Sequence, residues 1–381
     1  MVVFSRFTTP LVVLVAALFS LWIGNSIFTY FSYDVSPEVR VVGLTNGDYH
    51  KGLISCSLRA DNAYKIAGVC AMLDGKPFII DGATSVRSQK FNLPFEIDTS
   101  DLLDGKHVLE IDAVDSSYHA NKNSELVEFF VDNKLLKAAF LQPEYRVDQG
   151  HTLHPKIQLN KNVSSIELTF LSKKFNGYPD ADDSVVYESF LPVDCEQNSG
   201  EFSLQAKVTD RVGNQVMLSG TVKINKLNFP RQKGFHVAAE KLEEEKEVSM
   251  NNKILSQALE KWVLQSPKKK LWNGPFELPT QVLRYSTPYG EIRVTPEKGR
   301  YLHRAVDIVN HPRSVVWASQ NGKVIIKDRY LMSGNTVVVD HGLGVFTKYF
   351  HLDDFADIEV GEMIKKGSPV GKLGMTGYAN G

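Results

Sequence analysis

The chain has 381 residues and a mass of 42.6 kDa, too long for one hydrophobic core and enough for two or three domains of ordinary size. Hydrophobic residues make up 43% and charged residues 23%, the balance of a globular protein rather than a disordered one. The formal net charge is -1 and no long basic run occurs, so the electrostatic footprint of a nucleic-acid binder is missing and no nucleic-acid partner is expected.

The N-terminus differs from the rest. After Arg6 no charged residue occurs until Asp34, and as a helix this stretch is long enough to cross a hydrocarbon core of about 30 Å. Its most apolar part, Leu11 to Ile23, also has the length of a signal-peptide hydrophobic region. Bulky Ile27, Phe28, Tyr30, Phe31 and Tyr33 follow it in place of a small-x-small cleavage site. Residues 1–33 are therefore predicted to be an uncleaved signal anchor. Arg6 before the segment and Asp34 and Glu38 after it predict a single pass through the cell membrane, with the bulk of the chain on the extracytoplasmic side.

From residue 34 to 134 short apolar-alternating runs with turn residues between them predict strands at Leu53 to Leu58, Val69 to Leu73, Pro77 to Ile80, Val108 to Val114 and Leu126 to Val131. Asp74-Gly75 between two of these runs is a hairpin signal. Residues 135–228 repeat the pattern. Their clearest piece is Phe202 to Asn214 followed by Val216 to Ile224, two alternating strands around a turn rich in Asp, Gly and Asn. Both stretches resemble bacterial immunoglobulin-like domains, so two β-sandwiches in tandem are expected. They read as spacers, or as wall-binding modules. Cys56 and Cys70 fall in consecutive predicted strands, where a bridge or two buried thiols are both open, and Cys195 has no evident mate.

Residues 229–267 change character. Ala238 to Val248 is dominated by Glu and Lys, and Ile254, Leu255, Ala258, Leu259, Trp262 and Val263 recur at helical spacing before Ser266-Pro267. One amphipathic helix of about seven turns is predicted, linking two domains or packing on one.

From residue 268 to the end, short strands return at Val315 to Ala318, Gly322 to Lys327, Asn335 to Asp340 and Val345 to Phe350. His303 and Asp307 are both suitable zinc donors. On a straight strand four steps of about 3.3 Å would hold them roughly 13 Å apart, so the chain must bend between them if they share an ion. His351 falls at a strand end beside a loop, where an imidazole can orient water or hydrogen-bond an oxyanion.

Taken together, Tyr289-Gly290, Arg293, His303-x-x-x-Asp307, His341-Gly342-x-Gly344, Tyr349-x-His351-Leu352 and the run Gly361, Gly367, Gly371, Gly374, Thr376-Gly377 resemble the lysostaphin and LytM type of zinc metallo-endopeptidase. The likeness implies an all-β catalytic domain, one Zn2+, peptidoglycan as the partner and hydrolysis of its peptide cross-links. By position, His303 and Asp307 match two of the three zinc ligands and His351 matches the first of two catalytic histidines. Ala305 stands where that family usually has Gly. The family also continues into a His-x-His strand that carries the third ligand and the second histidine, whereas this sequence stops at Gly381. His341 and His311 do not replace them. The domain is accordingly expected to be C-terminally incomplete and inactive as given. The mainly β architecture is thus an anchor, two sandwiches, a linker helix and a LytM-type domain. A second reading is a non-catalytic LytM-like regulator or scaffold for other wall hydrolases or division partners. The glycine run alone also resembles the lipoyl-like barrel of membrane-fusion adaptors, but that leaves the histidine motifs unexplained.

Overall fold

The computed structural model describes residues 8–83, 87–232, 254–295 and 299–379. The chain is mainly β, with 47% strand and 10% helix. It divides into two compact units, residues 1–135 with 211–214, and residues 136–210 with 215–381.

The first unit opens with an apolar helix, Thr8–Ser32, whose side chains are exposed from Val12 onward. It is the length of a membrane span and has no acidic or basic residue in its end turns. A sandwich follows. One sheet is antiparallel and runs Glu38–Val42, Leu53–Asp61, Lys90–Asp98 in spatial order. The other runs Tyr49–His50, Lys122–Val131, Gly105–Asp115, Ile66–Leu73, Lys76–Phe78, with its short first strand parallel to its neighbour. Every second side chain of Leu53–Asp61 points inward, the alternation expected of a strand with one buried face. Leu58, Leu109, Ile111 and Phe129 meet in a core that excludes water completely. Asp74 and Gly75 both take positive φ, 54° and 74°, which is the tight hairpin turn their sequence announces. Cys56 is buried and Cys70 lies exposed on the other sheet; both thiols are free, as is the buried Cys195.

The second unit begins with another two-sheet β-structure. A five-stranded sheet orders Glu144–Asp148, Gln215–Asn225, Gly200–Thr209, Ser165–Phe170 and Lys173–Asn176, against a four-stranded sheet of Tyr178–Pro179, Val186–Glu188, Lys156–Leu159 and Ala138–Phe140. Ile157, Leu168, Phe170, Leu204 and Val222 fill the space between them.

The C-terminal part is built on an antiparallel sheet of Phe346–Leu352, Gly334–Asp340, Gly322–Tyr330 and Met363–Ile364. The central strand Gly334–Asp340 is buried on both faces. On one face Val324, Val337, Val339, Tyr349 and Val370 pack together. On the other, the apolar stripe Leu255, Ala258, Leu259 and Trp262 of a helix covering residues 254–265 packs on Ile325, Ile326 and Val338. A register shift between Val324 and Ile326 aims two consecutive isoleucines at that helix, which regular alternation would forbid. The predicted Glu/Lys-rich start of the helix, Ala238 to Val248, lies outside the described residues.

Candidate metal and catalytic site

Two small strand pairs carry the first half of the site. Ile292–Thr295 pairs with Gly299–Leu302, and Arg284–Thr287 pairs with Asp307–Val309. His303 follows the first pair directly, and its backbone is pinned to the Tyr289-Gly290 turn region: its N–H donates to the Glu291 carbonyl at 2.9 Å and its carbonyl accepts from Gly290 N–H at 2.8 Å. Asp307 opens its strand opposite Thr287. The chain therefore bends over residues 303–307, and His303 Nε2 comes within 3.3 Å of Asp307 Oδ1.

The surroundings of this pair favour an ionised carboxylate. Burial pushes the Asp307 carboxyl up, but hydrogen bonds from His303 and Thr287 and the Arg293 guanidinium outweigh it and hold the group below its ordinary range. Arg293 also donates to Thr287 Oγ1 at 2.9 Å, so Arg293 and Thr287 together orient the carboxylate. His303 Nδ1 is buried and makes no hydrogen bond. That nitrogen points away from Asp307, which Nε2 faces, so an ion shared by the two residues would take Nε2. An imidazole and a carboxylate form a donor set that zinc accepts. They supply two donors; among the described residues no group of three or more His, Cys, Asp or Glu is assembled.

His351 is held on the central sheet. Its backbone has φ of 59°, a left-handed conformation that a residue with a β-carbon adopts only when its surroundings impose it. Its N–H donates to the Ser333 carbonyl at 2.7 Å, and its Nδ1 lies 2.8 Å from the Thr376 carbonyl oxygen. A carbonyl only accepts, so Nδ1 carries the proton and Nε2 of the neutral ring is the acceptor. Among the described residues no hydrogen bond joins His351 to His303 or Asp307.

Sequence reasoning did not single out Thr376, Ser333 or Gly334 as supports of that ring. Thr376 Oγ1 donates to the Leu352 carbonyl at 2.6 Å and accepts from Asn335 N–H at 2.9 Å, which ties its turn to the sheet. The only signal was the Thr376-Gly377 pair itself. His341, by contrast, is a structural residue: it is fully buried, and its ring nitrogens meet the Asn321 carbonyl at 2.7 Å and Thr347 Oγ1 at 2.8 Å. Burial holds its pKa below the ordinary histidine value.

The same segment matches a known family, Peptidase family M23, over residues 301–381. Residues 301–381 are thus the part of the chain that is similar to Peptidase family M23. Peptidoglycan DD-endopeptidase ShyC of Vibrio cholerae is 32% identical over 104 residues, which are 27% of this chain and 24% of that protein. DD-carboxypeptidase/endopeptidase Mpg of Neisseria meningitidis is 33% identical over 110 residues, 28% of this chain and 25% of that protein. The chain thus matches about a quarter of the length of these relatives. A crystal structure of a peptidase M23 from Pseudomonas aeruginosa overlaps 65% of this chain and 84% of its own, with a TM-score of 0.38 and 17% identity.

Proposed function

We propose that the protein is a membrane-anchored zinc endopeptidase that hydrolyses peptide cross-links of peptidoglycan. In this reading residues 1–33 form the anchor, 34–134 and 135–228 two immunoglobulin-like modules, 229–267 the helical segment and 268–381 the M23 domain. The observation that supports it most directly is the His303–Asp307 pair, bent so that His303 Nε2 comes within 3.3 Å of Asp307 Oδ1. His303 and Asp307 would hold the ion, whose chemistry when bound is to polarise a scissile carbonyl and lower the pKa of a water to about 7. Arg293 and Thr287 keep Asp307 ionised and oriented. His351, with Nδ1 committed to the Thr376 carbonyl, can take a proton at Nε2 and in that charged form donate a hydrogen bond to a developing oxyanion.

The test is elemental analysis of the protein expressed from its complete reading frame, together with release of peptides from purified cross-linked peptidoglycan. One zinc per chain is expected, with nearly all of it lost in His303→Ala and in Asp307→Ala, and with His351→Ala retaining zinc but losing hydrolysis. Absence of zinc from the parent protein would overturn the enzymatic reading in favour of a non-catalytic regulator of other wall hydrolases.

A further inference from the structure

Resting on the anchor reading above, we infer that the first sandwich is docked on the lipid bilayer itself, through an aromatic tip that continues the interfacial belt of the helix. The sandwich turn between Asp115 and Lys122 places the Tyr118 ring 4.7 Å from Phe31 and 6.4 Å from Tyr30, centroid to centroid. Tyr64, on the neighbouring turn, packs its ring tilted against Tyr33 at 4.5 Å and edge-on to Tyr30 at 6.2 Å, centroid to centroid. Polar contacts fix the same junction. His119 Nε2 lies 2.9 Å from the Phe31 carbonyl, Asn121 Nδ2 donates to the Tyr33 carbonyl at 3.3 Å, and Tyr33 hydrogen-bonds Asn62.

The depth of Tyr118 follows from these contacts. The span ends at Ser32, so Phe31 lies at its outer boundary. A ring packed on Phe31 must sit at the headgroup level whatever the tilt of the helix. Tyr118 nevertheless remains 60% exposed, and the medium available to its exposed part at that level is lipid headgroup and glycerol region. Tyrosine suits that zone because its ring is apolar and its hydroxyl polar. The turn is also built to hold its shape. Asp115 Oδ1 accepts from Ser117 N–H at 3.0 Å, Ser117 Oγ at 2.6 Å and Asn121 N–H at 3.0 Å, while Oδ2 accepts from Asn62 Nδ2 at 3.0 Å and Asn121 Nδ2 at 3.2 Å. The sandwich therefore stands on the membrane as a fixed base.

The experiment places the full chain in phosphatidylcholine vesicles carrying a nitroxide either on the headgroup or deep in the acyl chain. Emission is compared for the parent, Tyr118→Trp and Leu103→Trp; Leu103 is 84% exposed at the other end of the 11-residue strand Gly105–Asp115, about 30 Å away. The emission lost in Trp22→Phe isolates Trp22, which reports the anchor, from that of Trp262, Trp272 and Trp317. The expected result is loss of most of the emission added by Tyr118→Trp with the headgroup nitroxide, a smaller loss with the deep one, and none for Leu103→Trp. If Trp22 is quenched by the deep nitroxide while Tyr118→Trp is untouched, or if both introduced tryptophans are quenched alike, docking is overturned and the anchor stands. If Trp22 is not quenched, the anchor reading fails and docking fails with it.

Discussion

Gly334 and Thr376 approach so closely that a β-carbon on Gly334 would stand 2.2 Å from the Thr376 carbonyl oxygen, the same oxygen that accepts from His351 Nδ1. Gly334 also has φ of 62°, where any other residue is strained. The prediction is that Gly334→Ala costs about 1–2 kcal/mol from backbone strain alone and more from displacing the Thr376 carbonyl. The His351 ring should lose its tautomer bias, because the acceptor that fixes the Nδ1 proton has moved. Nitrogen NMR of the histidine rings checks this; an unchanged His351 tautomer in a folded Gly334→Ala protein would show that the Thr376 carbonyl does not set it.

The helix over residues 254–265 offers a second test. Leu255 is 7% exposed and packs with Ile325, Ile326 and Val338 on the back of the sheet that carries His351. Leu255→Ala should cost about 2–5 kcal/mol, the usual range for truncating a core leucine. It should leave the zinc content per folded chain unaltered. Urea unfolding followed by circular dichroism measures the first, and elemental analysis the second.

Much of this fold is legible in the sequence because the signals are local. The alternation of Leu53–Asp61 and the Asp74-Gly75 turn depend on residues a few positions apart, and strand arithmetic requires a bend between His303 and Asp307 if the two share an ion. What holds His351 is not legible in that way. Its partner is a backbone carbonyl, which every residue possesses, and the residue that supplies it is 25 positions away. The amphipathic stripe of Leu255, Ala258, Leu259 and Trp262 announces a buried face but not the sheet it covers. The paired bulge residues Ile325 and Ile326 that receive it break the period a strand reading relies on.

Asp115 predicts a pH dependence in the first sandwich. Burial pushes its carboxyl up, yet the hydrogen bonds from Ser117, Asn62 and Asn121 win and hold it below its ordinary value. A folded-state pKa depressed below the unfolded value of about 3.9 contributes stability that is complete above that value and is lost as pH falls through the folded one. Lowering the pH from 6 towards 3 should therefore reduce the urea midpoint of the parent more than that of Asp115→Asn, which has no such charge to lose. Equal slopes for the two proteins would remove Asp115 from the acid sensitivity.

Glu188 is buried with its carboxylate fully covered, and Lys270, only 20% exposed, places Nζ 2.6 Å from Oε1 and 2.8 Å from Oε2. His154 Nε2 lies 2.7 Å from Oε2. Burial raises the Glu188 pKa, but His154 and Lys270 outweigh it and keep the carboxyl below its ordinary range. The Lys270 ammonium also stands over the ring of Trp272, 5.7 Å from the centroid. Removing the lysine leaves a buried charge with one remaining partner, so Lys270→Met should cost about 3–5 kcal/mol. Adding Glu188→Leu to Lys270→Met removes the stranded charge and should recover much of that loss, since an apolar replacement of a buried pair is often neutral. Urea midpoints of the two single variants and the double variant form the cycle; strict additivity would show that the two groups do not interact.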